Sequence, residues 1–170
     1  MPEVSRLYRL TEQSQSRITI HQGGTSSSKT FSILQLLISK AIREQGILIS
    51  VVSESLPHLR RGAMRDLINI LIEANCYNEK YHNKSENSFE FGSSLIEFFG
   101  ADQPDKLRGA RRDYLFINEC NNISKEIFNQ LEVRTKNKIY LDFNPVSEFW
   151  ISEIEHLPNV LLIKSTYKAA

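Results

Sequence analysis

The sequence predicts an α/β fold: a mostly parallel central sheet flanked by helices, with one β-hairpin added to it. Three observations carry that expectation. Strand-length apolar runs alternate with segments of helical period, so neighbouring strands need crossover connections and run parallel. A strand, a glycine pair and a long apolar helix follow one another between Arg17 and Gly46. Finally, Phe89–Phe91 and Leu95–Phe99 flank Gly92-Ser93, a pair suited to a tight hairpin turn.

Size and composition set the frame for these elements. A length of 170 residues fits one well-filled core and is short for two catalytic domains. The expected division is an N-terminal arm over 1–16 and one domain over 17–170. Hydrophobic residues at 41% and charged residues at 24% match soluble globular usage and exclude a disordered or fibrous chain. No apolar run is long enough to span a membrane, and Met1–Leu10 lacks the apolar centre of a secretory signal. A cytosolic protein without a membrane partner is expected. Cys76 and Cys120 stand far apart without ligand spacing, so they read as buried thiols rather than a disulfide or zinc site. His21, His58, His82 and His156 have no ligand spacing either, and read as structural or surface residues.

Taken in order, Met1–Ser16 is polar and without a sustained period, which gives the leading arm. Ile18 and Ile20 alternate with Thr19 and His21 in a first strand over Arg17–Gln22. Phe31, Ile33, Leu34, Leu37, Ile38, Ala41 and Ile42 make the helix after it a buried one, closing near Gly46. Ile47–Val52 is a second, continuously apolar strand. Ser55 reads as the N-cap and Pro57 as part of the first turn of one helix running through Leu59, Ala63, Leu67, Ile70, Leu71 and Ala74. After the hairpin, Gly100–Asp113 reads as a charged loop. Tyr114–Ile117 is a short strand ending in Asn118-Glu119, Ile123–Leu131 carries a helix, and Lys138–Phe143 is a strand stopped by Asn144-Pro145. A short helix over Phe149–Ile154 and a strand over Val160–Ile163 complete the chain.

Chemistry concentrates at three strand ends. Gly23-Gly24-Thr25-Ser26-Ser27-Ser28-Lys29-Thr30 has the spacing of a Walker A loop, and it lies between a strand and a helix as that loop must. Backbone amides and the helix N-terminus would converge on phosphate, Lys29 would neutralise the β/γ oxygens, and Thr30 would ligate magnesium. Ser28 stands where the usual pattern has a glycine, and the alternative is a polar turn capping a buried helix. Tyr114–Glu119 has the form of a Walker B strand. Glu119 would polarise the attacking water, and Asn118, a neutral amide where aspartate is usual, would hold a magnesium-bound water. The alternative there is a strand end with two solvated polar residues. Asn144 either senses the γ-phosphate or serves only as turn chemistry before Pro145. Together these make a P-loop NTPase that binds ATP and Mg2+.

The net charge of +1 says nothing of a partner, but Lys106, Arg108, Arg111 and Arg112 fall within seven residues. Arg60, Arg61 and Arg65 form a second group, read as a solvated basic face.

In this order, Gly23–Thr30, Lys106-Leu107-Arg108-Gly109, Asn118-Glu119 and Asn144-Pro145 with Trp150 resemble the packaging ATPases of tailed phages, in the N-terminal half of the terminase large subunit. The resemblance runs from Arg17 to Tyr167. It implies an ATP hydrolase that drives double-stranded DNA into a procapsid, working in the host cytoplasm as a homo-oligomeric ring, with a portal protein and a small terminase subunit as partners. The isolated domain would be monomeric. It also implies an arginine directed at the γ-phosphate, with Arg108 first and Arg111 and Arg112 after it as candidates. Ser165-Thr166-Tyr167-Lys168 resembles the point where such proteins continue into a nuclease domain, so DNA cleavage is not expected of this chain. Two rivals stand beside this reading: a nucleotide-binding assembly module with little hydrolysis of its own, and a small-molecule phosphotransferase.

Overall fold

The computed structural model describes residues 5–24 and 28–165. Among these, eight strands form one sheet: β1 (Ile18–Gly23), β2 (Leu48–Ser53), β3 (His82–Asn83), β4 (Ser88–Phe91), β5 (Ser94–Gly100), β6 (Arg112–Ile117), β7 (Thr135–Phe143) and β8 (Val160–Ser165). Their order is β3-β4-β5-β2-β6-β7-β1-β8. The six strands from β5 to β8 in that order are parallel, and β3 and β4 add to β5 as antiparallel strands. All six parallel strands therefore end on one edge, where open sheets of this kind hold ligands.

Strand parity divides the core. Tyr114, Phe116 and Tyr140 face one layer with Ile33, Leu34, Leu37, Leu67 and Ile70. Leu115, Ile117, Ile139 and Leu141 face the other with Phe128, Leu131, Trp150 and Ile151. The first layer is built by α2 (Lys29–Arg43) and α4 (Ala63–Glu73), preceded by α1 (Arg6–Gln13) and α3 (Leu56–Arg61). Beyond them come α5 (Pro104–Leu107), α6 (Lys125–Val133) and α7 (Ile151–Ile154), of which α6 and α7 supply the second layer. By the same period of two, Asn118 and Asp142 fall on the face of α2.

The expected elements are present; β3 is an added edge strand that was not expected, and four further differences stand out. The leading arm carries α1: Ser5 caps it by accepting from the Tyr8 amide, and Leu7, Tyr8 and Thr11 are buried. Two turns are too few to show a period, so the sequence pattern hid a helix made by packing on α2. The single helix expected from Ser55 to Ala74 is two. Gly62, with φ −122° and ψ −101°, leaves helical space between α3 and α4. The charged loop contains α5 and yields Gly100 to β5 and both Arg112 and Asp113 to β6. Cys76 is exposed rather than buried, whereas Cys120 is buried as expected.

The hairpin turn has Gly92 at φ +63°, the first position of the expected tight turn. Gln45, just past α2, accepts from the Ser93 amide at 2.8 Å and donates to Ile42 O at 2.9 Å. The hairpin is thereby tied to the end of α2 remote from Lys29.

Candidate active site

Strand β1 delivers Gly23 and Gly24 to the sheet's C-terminal edge, and α2 leaves from it at Lys29. Thr25, Ser26 and Ser27 lie outside the described residues. Ser28 has φ +63° and ψ 18°, the left-handed conformation that favours glycine. The departure from the usual motif therefore falls where the backbone geometry of that motif is kept. Lys29 is buried, and its Nζ donates to Asn144 Oδ1 at 2.5 Å and to Gly24 O at 3.4 Å. Burial lowers its pKa, and the nearby Asp142 and Glu119 oppose that shift only in part. An ammonium in this state gains from an added anion.

Asp142, on β7, is fully buried, and the sequence assigned it no role of its own. Four polar contacts reach its carboxylate. Thr30 Oγ1 donates to Oδ2 at 2.6 Å, the Glu119 amide donates to Oδ1 at 2.6 Å, and Asn118 Nδ2 reaches Oδ1 and Oδ2 at 3.1 and 3.2 Å. Burial pushes this carboxyl above its ordinary range, against the pull of Thr30, the Glu119 amide, Lys29 and Asn118. Every one of these hydrogen-bond partners is a donor, so the surroundings suit the ionised form. A carboxylate forced into an apolar strand needs such donors; the acid between Leu141 and Phe143 was the sequence signal that it had them.

Glu119 lies two residues past the end of β6 and adopts φ 53° and ψ 59°, a left-handed backbone that is costly for a non-glycine residue and recurs at functional sites. Its side chain contacts His58 Nε2, from α3. The other ring nitrogen of His58 lies 3.4 Å from Glu54 Oε1. His58 was read as a structural or surface histidine; tertiary packing of α3 brings it to the strand end, and no local motif marks that. Thr30, His58, Arg61, Asp66, Asn118 and Glu119 line one open cavity. Arg61, assigned from sequence to a solvated face, thus borders the site.

The other arginines divide. Arg108 caps α5 and is exposed, as is Arg111, and neither lines the cavity that Arg61 borders. Arg112 is almost wholly buried. Its Nε donates to Ser50 Oγ at 2.8 Å and its Nη1 to Leu131 O at 3.2 Å, so it is a core residue of β6 and not an arginine free to reach a phosphate. Trp150 closes the arrangement: its indole N–H donates to Ile123 O at 2.7 Å and its ring stacks on Phe128 at 4.7 Å. The loop after Asn144 is thereby fastened to the loop after Glu119.

The three strand ends singled out in the sequence thus meet: Lys29 touches Asn144, and Thr30, Asn118 and Glu119 meet on Asp142. A profile of the family described as phage terminase large subunit matches residues 15–169. The chain belongs to that family. No curated protein sequence matches this terminase chain. Its fold resembles that of the large terminase of a thermophilic bacteriophage, with a TM-score of 0.82 at 17% identity over 98% of this chain. The terminase chain spans 47% of that protein's length. The same thermophilic-phage protein in complex with ATP-gamma-S gives a TM-score of 0.72 at 15% identity, over 98% of this chain and 46% of that one. The large terminase ATPase domain of Thermus phage P74-26 gives 0.68 at 13% identity, over 95% of this chain and 80% of that domain. The terminase chain therefore has the fold of a large terminase ATPase domain.

Proposed function

We propose that this domain binds ATP with Mg2+ and hydrolyses it, and that in the working terminase the hydrolysis drives double-stranded DNA into a procapsid. The observation that carries the reading is the meeting of Lys29, Thr30, Asn118, Glu119 and Asn144 at the ends of three adjacent parallel strands. Lys29 would neutralise terminal phosphate oxygens, and Gly23 to Thr30 would surround the phosphate chain. Bound Mg2+ would neutralise charge on the β- and γ-phosphate oxygens. The oxygen donors of Thr30 and Asn118 fit this hard cation, and Mg2+ ordinarily completes its shell with water and phosphate rather than with a protein cage. Glu119 would accept a proton from the attacking water. Asn144, bonded to Lys29, would report the occupancy of the terminal phosphate position.

Family membership supports the wider setting: a homo-oligomeric ring in the host cytoplasm, with a portal protein and a small terminase subunit as partners. Arg108, exposed beyond α5, would act on a neighbouring subunit or on DNA phosphates, as would Arg111 on release of its exposed bond to Val133 O, and Arg61 would act within its own subunit. A nucleotide-binding module with little hydrolysis of its own is the second reading, favoured by the contact that ties Glu119 to His58.

Titration calorimetry with ATP and Mg2+, paired with a phosphate-release assay, tests the proposal. Lys29→Ala should abolish binding and turnover. Glu119→Gln should keep binding and lose hydrolysis by at least about 100-fold, the usual contribution of a positioned base. Normal turnover in both variants would remove the hydrolase assignment, while tight binding without release by the unaltered chain, even with DNA present, would favour the second reading.

A further inference from the structure

A Walker B strand ordinarily places a carboxylate beside the cation, and Asn118 brings none. A carboxylate nevertheless stands there, one strand over. Asp142 on β7 is fully buried, and its oxygens receive the Thr30 hydroxyl, the Asn118 amide and the Glu119 backbone N–H. Each contact has a chemical consequence. Because Thr30 gives its proton to Asp142, its oxygen gains electron density from the carboxylate and keeps one lone pair for a cation, the other receiving the Asn118 amide at 3.4 Å. Because a carboxylate only accepts, Asn118 must present Nδ2 to it. Its Oδ1 is then the end left for a cation or a cation-bound water in the cavity that Asn118 and Thr30 both line.

We propose that Asp142 supplies, from β7, the fixed negative charge that Asn118 lacks, and supports the nucleotide-bound divalent cation through the Thr30 hydroxyl and the Asn118 amide. The charge and the amide have exchanged strands. Asp142 is then a positioning residue, acting through two neighbours that touch the metal shell. This inference rests on the proposed nucleotide site, and deepens it. It also accounts for an otherwise costly feature, a buried acid in the middle of an apolar strand. The same Oδ1 that accepts the Glu119 amide fixes the left-handed backbone of the base, so the metal support and the base share one anchor.

The test is an exchange of the two side chains. Binding of a fluorescent ATP analogue is measured against Mg2+ concentration in the unaltered chain, in Asp142→Asn and in the double variant Asn118→Asp/Asp142→Asn, with thermal melts of each without nucleotide. Asp142→Asn should need at least about tenfold more Mg2+ for half-maximal binding, the usual cost of losing a partner of a metal ligand, with affinity for Mg2+-free nucleotide kept. The double variant, which restores one carboxylate to the cluster, should recover to within about threefold of the unaltered chain. Should Asp142→Asn fail to fold, the double variant decides alone. An unchanged Mg2+ requirement in folded Asp142→Asn, or a double variant at least tenfold weaker than the unaltered chain, overturns the inference. Failure of the unaltered chain to bind nucleotide at all would instead sink the nucleotide site on which it rests.

Discussion

Acidification should loosen the seat of the phosphate loop through His21. This ring sits on β1, two residues before Gly23, and is fully buried. Its Nε2 lies 2.7 Å from Thr11 Oγ1, while the Thr11 hydroxyl donates to Leu7 O at 2.6 Å. Thr11 has thus spent its proton, so Nε2 carries the hydrogen and Nδ1 is the bare nitrogen, without a partner among the described residues. A proton added to Nδ1 would put a buried charge near the Lys29 ammonium. Burial first, and Lys29 second, lower the pKa of His21 from 6.5 to about 4.

The sign follows from proton counting. Between those two values the unfolded chain holds the proton and the folded chain does not, so stability is complete above 6.5, declines through the window, and is wholly lost below about 4. Linkage with these values gives a loss of about 2 kcal/mol at pH 5 and roughly 3 kcal/mol below pH 4. Urea melts at pH 7.5 and pH 5 should measure it in the unaltered chain and in His21→Gln, which keeps an amide donor for Thr11 and cannot titrate. The variant should lose about 2 kcal/mol less than the parent over that interval, because all other groups contribute equally to both. Equal losses in the two chains would refute the assignment of the neutral ring, and with it the account of how α1 is fastened to β1.

Two further outcomes follow from the site. Ser28→Gly should raise stability by roughly 0.5 kcal/mol, since relief of the left-handed backbone outweighs the entropy that glycine adds to the unfolded chain; a lowered melting temperature would show that Ser28 is held there by something other than its backbone. If the His58 contact positions the base, His58→Ala should lower the turnover number by roughly tenfold while leaving nucleotide affinity within about threefold, because it frees the Glu119 side chain without touching the phosphate loop; an unchanged turnover number would mean that the contact does not position the base, and a raised one that it restrains the base as the second reading has it.

Legibility in the sequence followed distance along the chain. The strand-loop-helix unit at Arg17–Arg43, the hairpin and the three polar strand ends are each written within a few consecutive residues, so period and motif suffice. Asp142, His58 and Arg61 enter the site by register and packing. Asp142 shares a face with Asn118 only because β7 pairs with β6 so that Ile117 lies opposite Leu141. His58 reaches Glu119 only because α3 packs over the end of β5, where a side chain at Gly100 would meet Ser55 Cα at 2.8 Å. Arg112 misled for the opposite reason: its neighbours Arg108 and Arg111 are surface residues, and nothing local marks the one that turns inward to Ser50. The α1 segment was missed because eight residues hold too few apolar positions to define a face.

The strand order bears on the motor reading. β7 separates β1 from β6, so the phosphate loop and the strand that leads to Glu119 are not neighbours in the sheet, and apart from the 3.4 Å contact of Asn118 with Thr30 what passes between them crosses the end of β7. Two contacts make that crossing: Lys29 to Asn144, and Thr30 through Asp142 to the Glu119 amide. On the proposed reading, a terminal phosphate that draws Lys29 away from Asn144 leaves that amide to the loop running on to Trp150. Trp150 is bonded to Ile123 and stacked on Phe128 of α6, so displacement of the loop bears on the helix that follows the base. Asp142 is buried and held by four contacts, and stays put while Asn144, half exposed, is the side able to yield. Chemistry and motion are then divided within one strand end, two residues apart.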